Sequence, residues 1–107
     1  MEYIHIRNLE KFHPGITSEA HLEKYLIKNW KEFFNLDFIR TRKKISKKSI
    51  IDILAQKDNE IVIIELKFRS LRTKDKKQLN RYLREFPAGK GILIGYNRMT
   101  EEIEVIA

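Results

Sequence analysis

Two acidic residues interrupt apolar runs of this sequence, and a lysine stands beside one of them. Asp52 lies inside Ile50-Ile51-Asp52-Ile53-Leu54, while Glu65 falls between Ile64 and Leu66 with Lys67 two residues further on. Side chains at i and i+2 share one face of a strand, so Glu65 and Lys67 point the same way. If Lys57-Asp58-Asn59-Glu60 closes a hairpin, Asp52 comes within a few residues of being opposite Glu65 or Lys67. Two carboxylates and an amine then converge on an otherwise apolar sheet. Together with a backbone carbonyl, here that of Leu66, two carboxylates suit a hard divalent cation such as Mg²⁺ or Mn²⁺. Such a cation polarises a phosphoryl oxygen and makes a nearby water more acidic, and the lysine orients that water or offsets charge on the phosphate. Without a cation, two adjacent ionised carboxylates repel and one pKa rises. The plainer alternative is a strand-surface ion pair worth about 0–1 kcal/mol, with Asp52 a hydrogen-bonded edge residue or a bulge. Against it, a lone Asp within such an apolar run fits a strand poorly.

The elements that must position these groups follow from periodicity. Residues 2–8 alternate in polarity and predict a short strand, followed by a connection in which Pro14 and Gly15 supply a turn. Thr17 or Ser18 is the expected N-cap of a helix, with Glu19 in its first turn. Leu22, Tyr25, Leu26, Trp30 and Phe33 follow helical spacing, predicting one long helix to about Phe34 that ends at Asn35, with Trp30, Phe33 and Phe34 in the core. Strands are predicted over residues 36–43, 49–56 and 61–68, the last two forming a central hairpin. Leu79, Tyr82, Leu83 and Phe86 predict a second helix over 74–86, stopped by Pro87. Gln78 and Tyr82, four apart, share one face of it. Gly89, Lys90 and Gly91 read as a loop, 92–96 as a buried strand and 103–106 as a final one. The order is helix, three strands, helix, strand.

Length and composition bound the rest. A chain of 107 residues is expected to be a single domain. It has no cysteine, which removes disulfides, thiolate metal sites and cysteine nucleophiles. His5, His13 and His21 are spaced too widely for a local metal motif. The longest apolar run is four residues, 61–64, and the first 14 residues lack the apolar stretch of a signal peptide. A soluble, cytoplasmic protein with no membrane partner is the expectation.

The net charge of +7 favours polyanions and is clustered. Residues 40–48 hold six basic side chains in nine, and residues 67–77 six in eleven against one Asp. From the first cluster Arg40, Arg42, Lys43, Lys44, Lys47 and Lys48, and from the second Arg69, Arg72 and Lys74, are the candidates to follow nucleic-acid phosphates. A solvated, lysine-rich surface is the bland alternative.

The stretch IDILAQKDNEIVIIELKFRSLRTKDKKQLNRYL resembles the PD-(D/E)xK nuclease superfamily, with Asp52, Glu65-Leu66-Lys67, Gln78 and Tyr82 at the family's positions. It is most similar to the catalytic C-terminal domain of NucS/EndoMS-type endonucleases, over about residues 17–96. The resemblance implies an α/β (α+β) restriction-endonuclease-like core of order α-β-β-β-α-β, a mixed central sheet flanked by helices. It implies a metal-dependent endodeoxyribonuclease in which Asp52 and Glu65 bind Mg²⁺ or Mn²⁺, Lys67 supports the attacking water, and Gln78 and Tyr82 line the site or contact the backbone. It also implies an acidic residue on the first helix, Glu19 or Glu23, with Glu19 preferred because SEAHLEKYL is similar to the start of that helix. The residue before Asp52 is Ile51 where the family's name has proline, and the N-terminal DNA-binding domain of NucS-type enzymes has no counterpart. DNA would then be found through the basic clusters, a homodimer or a DNA-targeting partner protein. The alternative is a non-catalytic nucleic-acid-binding or assembly module that keeps the nuclease fold.

Overall fold

The structure, a computed structural model, describes residues 3–11, 15–87 and 89–107. A five-stranded mixed sheet runs β1-β2-β3-β4-β5 in both sequence and space. Its strands are β1 (Asp37–Lys44), β2 (Ile50–Lys57), β3 (Glu60–Lys67), β4 (Lys90–Asn97) and β5 (Glu102–Ile106). The helices are α1 (Ile6–Glu10), α2 (Glu19–Lys28), α3 (Trp30–Phe33) and α4 (Thr73–Glu85). The expected central hairpin forms, because Asp58 takes the left-handed conformation (φ 54°) that a two-residue turn needs and Asp tolerates. β3 and β4 are parallel, so the chain must cross over between them, and α4 is that crossover.

Residues along β3 alternate between two cores, as the strand period demands. Val62 and Ile64 face one side with Leu22 and Leu26 of α2, Phe33 of α3, and Ile92 and Ile94 of β4. Ile63 faces the other side with Leu79 and Tyr82 of α4, Leu93, Leu54 and Ile51. Sandwiching the sheet this way explains why β3 reads as an unbroken apolar run. Each fully buried Ile or Leu contributes roughly 1.5–3 kcal/mol. Glu65 has the parity of Ile63, so it points toward the α4 side, and so does Lys67.

Three expectations need correction. The strand expected over 2–8 is not formed by the described residues 3–8: residues 6–10 are helical, and residues 3–5 bond residues 33–35 rather than the sheet. His5 N–H donates to the Phe33 carbonyl (2.8 Å) and Asn35 N–H to the Tyr3 carbonyl (2.9 Å). The long helix is broken at Asn29, whose side chain donates to the Tyr25 carbonyl (3.0 Å) and closes α2; α3 starts afresh at Trp30. The core roles of Trp30, Phe33 and Phe34 stand. Lys90 and Gly91 are strand, not loop: a Cβ at Gly91 would lie 2.7 Å from Leu79, so glycine there lets α4 approach β4 closely. Ser18 is the N-cap of α2, accepting from His21 N–H (3.0 Å). The predicted Pro14 turn and His13 lie outside the described residues, whereas Gly15 has the positive φ (66°) of a turn.

The segment between β3 and α4 is pinned to β4. A Cβ on Gly95 would stand 2.8 Å from the Arg69 carbonyl oxygen, which is backbone and gives way poorly. Gly95→Ala is therefore expected to destabilise the fold by about 1–3 kcal/mol, measured by urea denaturation.

Candidate active site

The site forms where β2 and β3 part. Their ladder ends at Ile53↔Ile64, and the next pair would be Asp52 and Glu65. There, side chains take over the backbone's partners. Asp52 N–H donates to Glu65 Oε1 (3.0 Å), and Leu66 N–H donates to Asp52 Oδ2 (2.8 Å). On the other flank the β1–β2 register passes from Thr41↔Ile53 to Lys43↔Ile51, which sets Arg42 opposite Asp52. The N–H and C=O of an extended residue point to the same side, so the Leu66 carbonyl also faces the fork. An Asp within an apolar strand thus has a local reason: it satisfies a backbone donor that the diverging ladder leaves open. From the fork a chain of hydrogen bonds reaches α4. Lys67 Nζ donates to Gln78 Oε1 (3.1 Å), and Gln78 Nε2 donates to the Tyr82 hydroxyl (3.1 Å), across one helical turn.

Glu65 is 3% exposed, and burial followed by the Asp52 charge pushes its carboxyl up to about 8. Burial raises Asp52 as well, opposed by the Leu66 N–H. The two carboxyls therefore hold an extra proton at neutral pH, where separate ones would both be ionised. Oxygen donors without imidazole or thiolate, in a place where a positive charge relieves repulsion, fit Mg²⁺ or Mn²⁺. Among the described residues no cluster of three or more His, Asp or Glu is preformed around a point. The donor set is two carboxyls and a carbonyl.

Glu19 and Glu23 have separated roles. Glu19 opens α2, and its carboxyl is raised first by burial and then by the Asp52 charge while Lys67 opposes the rise, so it lies in the field of the fork. Glu23, one turn on, is 9% exposed and pairs with Arg42 Nη2 at 3.2 Å.

A groove of about 450 Å³ extends from Lys67 along α4, lined by Arg69, Lys74, Lys77, Arg81 and Arg84 together with Gln78 and Asp75. Asp75 is already neutralised by a two-pronged pair with Arg69, both contacts 2.8 Å. Arg81 also borders the β1–β2 loop beside Lys47 and Lys48. Arg40, Lys43 and Lys44 lie on the edge strand β1 and Arg72 caps α4, and none of the four lines either hollow. Arg81 and Arg84 lie beyond the basic run 67–77 that the sequence singles out. Their spacing with Lys74 and Lys77, at i, i+3, i+7 and i+10, is helical and carried the signal. A larger hollow of about 570 Å³, lined by Trp30, Phe34 and Phe38, contains no residue of the fork.

The sequence model of the PD-(D/E)XK nuclease superfamily matches residues 19–106, a span that includes every residue of the fork and of the groove. Among solved structures, the crystal structure of a repair endonuclease from Pyrococcus abyssi is similar, with a TM-score of 0.62 and 27% identity over 77% of this chain. The match covers 39% of that endonuclease, so this chain spans well under half of its length. No curated protein sequence matches the chain. The sheet with its flanking helices is the restriction-endonuclease-like fold.

Proposed function

Because this chain belongs to the PD-(D/E)XK nuclease superfamily, we propose that it is a metal-dependent endodeoxyribonuclease that hydrolyses DNA phosphodiester bonds. The observation that carries this reading is the fork: two mutually destabilised carboxyls, a carbonyl on the same side and a lysine amine one strand-pitch away. Asp52, Glu65 and the Leu66 carbonyl would hold Mg²⁺ or Mn²⁺. When bound, that ion supplies Lewis-acid polarisation of the phosphoryl oxygen. Lys67, steadied by Gln78 and through it by Tyr82, presents its amine to the attacking water and to the charge developing on the phosphate. Glu19 adds a carboxylate at the rim.

Lys74, Lys77, Arg81 and Arg84 run along α4 from Lys67 and serve as a phosphate track, which Lys47 and Lys48 continue. If about six phosphates are engaged, binding is expected to weaken roughly a thousandfold between 50 and 200 mM salt, checked by fluorescence anisotropy. Repair, the role of the similar Pyrococcus abyssi endonuclease, is the process we assign. The substrate sets the location inside the cell, and no described helix is long and apolar enough to cross a membrane. We propose that the domain works on DNA as a homodimer or with a DNA-targeting partner, a two-fold pair being the commonest assembly.

One observation favours a second reading. Asp52 and Glu65 each accept from a backbone N–H, a purely structural task that a non-catalytic DNA-binding module would also require. Calorimetry with Mn²⁺ separates the two. Uptake by wild type and its loss in Asp52→Asn, which keeps an acceptor for Leu66 N–H, is the nuclease result. No uptake by wild type is the module result.

A further inference from the structure

Among the described residues three non-glycines have positive φ: Arg42 (51°), Asp58 (54°) and Glu101 (56°). Asp58 and Glu101 sit in turns, where that conformation reverses the chain. Among the described residues Arg42 alone adopts it within a strand. Arginine gains nothing from the left-handed region, which Gly, Asn and Asp visit more cheaply, and a side chain needed only for general phosphate attraction has no use for it. Such strain persists where the surrounding structure enforces it.

The enforcement is visible. The conformation falls where Arg42 stands opposite Asp52, at the same level as the β2–β3 fork. Glu23, almost buried on α2, takes Arg42 Nη2 at 3.2 Å. The Arg42 side chain is still 65% exposed, and a guanidinium has five N–H donors, so most of its hydrogen-bonding capacity faces outward. The carboxyl pair is thereby flanked by two cations, Lys67 at the end of β3 and Arg42 on β1 beyond β2, and the Arg42 charge reaches Asp52. A phosphodiester approaching two carboxylates meets repulsion that a cation on one flank offsets only on that flank.

We propose that Arg42 is a further catalytic residue whose guanidinium grips the scissile phosphate from the β1 side, and that Glu23 is the positioning residue that holds it there. This rests on the nuclease reading above and distinguishes Arg42 from the cations that follow flanking phosphates. It also gives Glu23 a task different from that of Glu19.

The test is single-turnover cleavage of labelled DNA at saturating protein, with DNA affinity measured in parallel on Arg42→Asn, Arg42→Lys, Glu23→Ala and the Glu23→Ala/Arg42→Asn double variant. Asn accepts the left-handed backbone, and circular dichroism melting checks that the fold is kept; Arg42→Lys, which retains the charge, is the second variant if Asn melts early. Arg42→Asn is expected to lower the saturated rate about 100-fold with less than about a threefold change in DNA affinity, and lysine to recover only part of the rate. Glu23→Ala is expected to slow wild type about tenfold yet add little in the Arg42→Asn background, because both changes remove one unit. An unchanged saturated rate in Arg42→Asn and Arg42→Lys, with weaker binding and a shallower salt dependence, overturns the assignment and makes Arg42 a phosphate tracker. No cleavage by wild type in any metal overturns the nuclease reading itself, and this assignment with it.

Discussion

Glu65→Gln is expected to lower metal-supported DNA cleavage at least about a thousandfold while making the metal-free protein more stable at alkaline pH. The two effects share one cause. Glu65 is buried against Asp52, and its carboxyl titrates near 8 in the folded protein against an ordinary value of 4.5. Between those values the folded state binds more protons than the unfolded chain, so stability falls as pH rises from about 4.5 toward 8 and then levels off. The full effect is on the order of a few kcal/mol. Gln has no proton to lose, keeps an oxygen for Asp52 N–H and adds a donor toward the Asp52 carboxylate, so it removes the pH-dependent loss. Urea denaturation in EDTA at pH 5 and pH 9 checks this. Wild type loses stability between the two, and the variant loses much less. A site that stores repulsion in its metal-free state is what a divalent cation then relieves.

The second large effect is on the fold that carries the site. Asp75 is 2% exposed and takes three hydrogen bonds: two from the Arg69 guanidinium and one from Arg72 N–H, each 2.8 Å. It occupies the third position of α4 and reaches back to the N-cap backbone, so it fastens the β3–α4 connection and the start of the helix together. Asp75→Ala is expected to cost about 3 kcal/mol, because it frees a half-buried guanidinium and an open helix N–H at once. The Arg69 hydrogen bonds, with help from Arg72 N–H, hold the Asp75 carboxyl down at about 2. For a depressed carboxyl the stabilisation is present above the unfolded value of about 4 and is lost as pH falls toward 2. Wild type should accordingly lose stability across that window, and Asp75→Asn, followed by acid titration of circular dichroism, should show a flatter profile there. Cleavage should fall as well, since Gln78 lies one turn beyond Asp75 and orients Lys67.

What the sequence discloses and what it conceals divide along the range of the forces involved. Asp52, Glu65 and Lys67 are legible because strand parity and an ionisable group inside an apolar run are local facts. Gln78 and Tyr82 are legible from a four-residue spacing that α4 preserves. The break at Asn29 is hidden, because Trp30 and Phe33 continue the apolar stripe past it. The side-chain bond from Asn29 to Tyr25 and the reach of Trp30 Nε1 to the Leu36 carbonyl (2.6 Å) form only once the chain has turned. The helix at residues 6–10 is hidden for a similar reason, since its approach is fixed by backbone partners at 33–35. Nothing in an arginine announces a left-handed backbone, so Arg42 reads as one more cation of a basic run until the register sets it opposite Asp52. The stripe Lys74, Lys77, Arg81 and Arg84 is periodic in the sequence, yet the apolar face of the same helix captures the periodicity first.

We propose that the fork of Asp52 and Glu65 hydrolyses DNA with a divalent ion. The most direct test is cleavage of labelled single-stranded, duplex, flap and four-way-junction DNA in Mg²⁺, Mn²⁺ or EDTA, with Glu65→Ala alongside. Cutting of at least one substrate that needs the metal and disappears in the variant is the expected result. Binding without cutting in either metal, or cutting that survives Glu65→Ala, contradicts it.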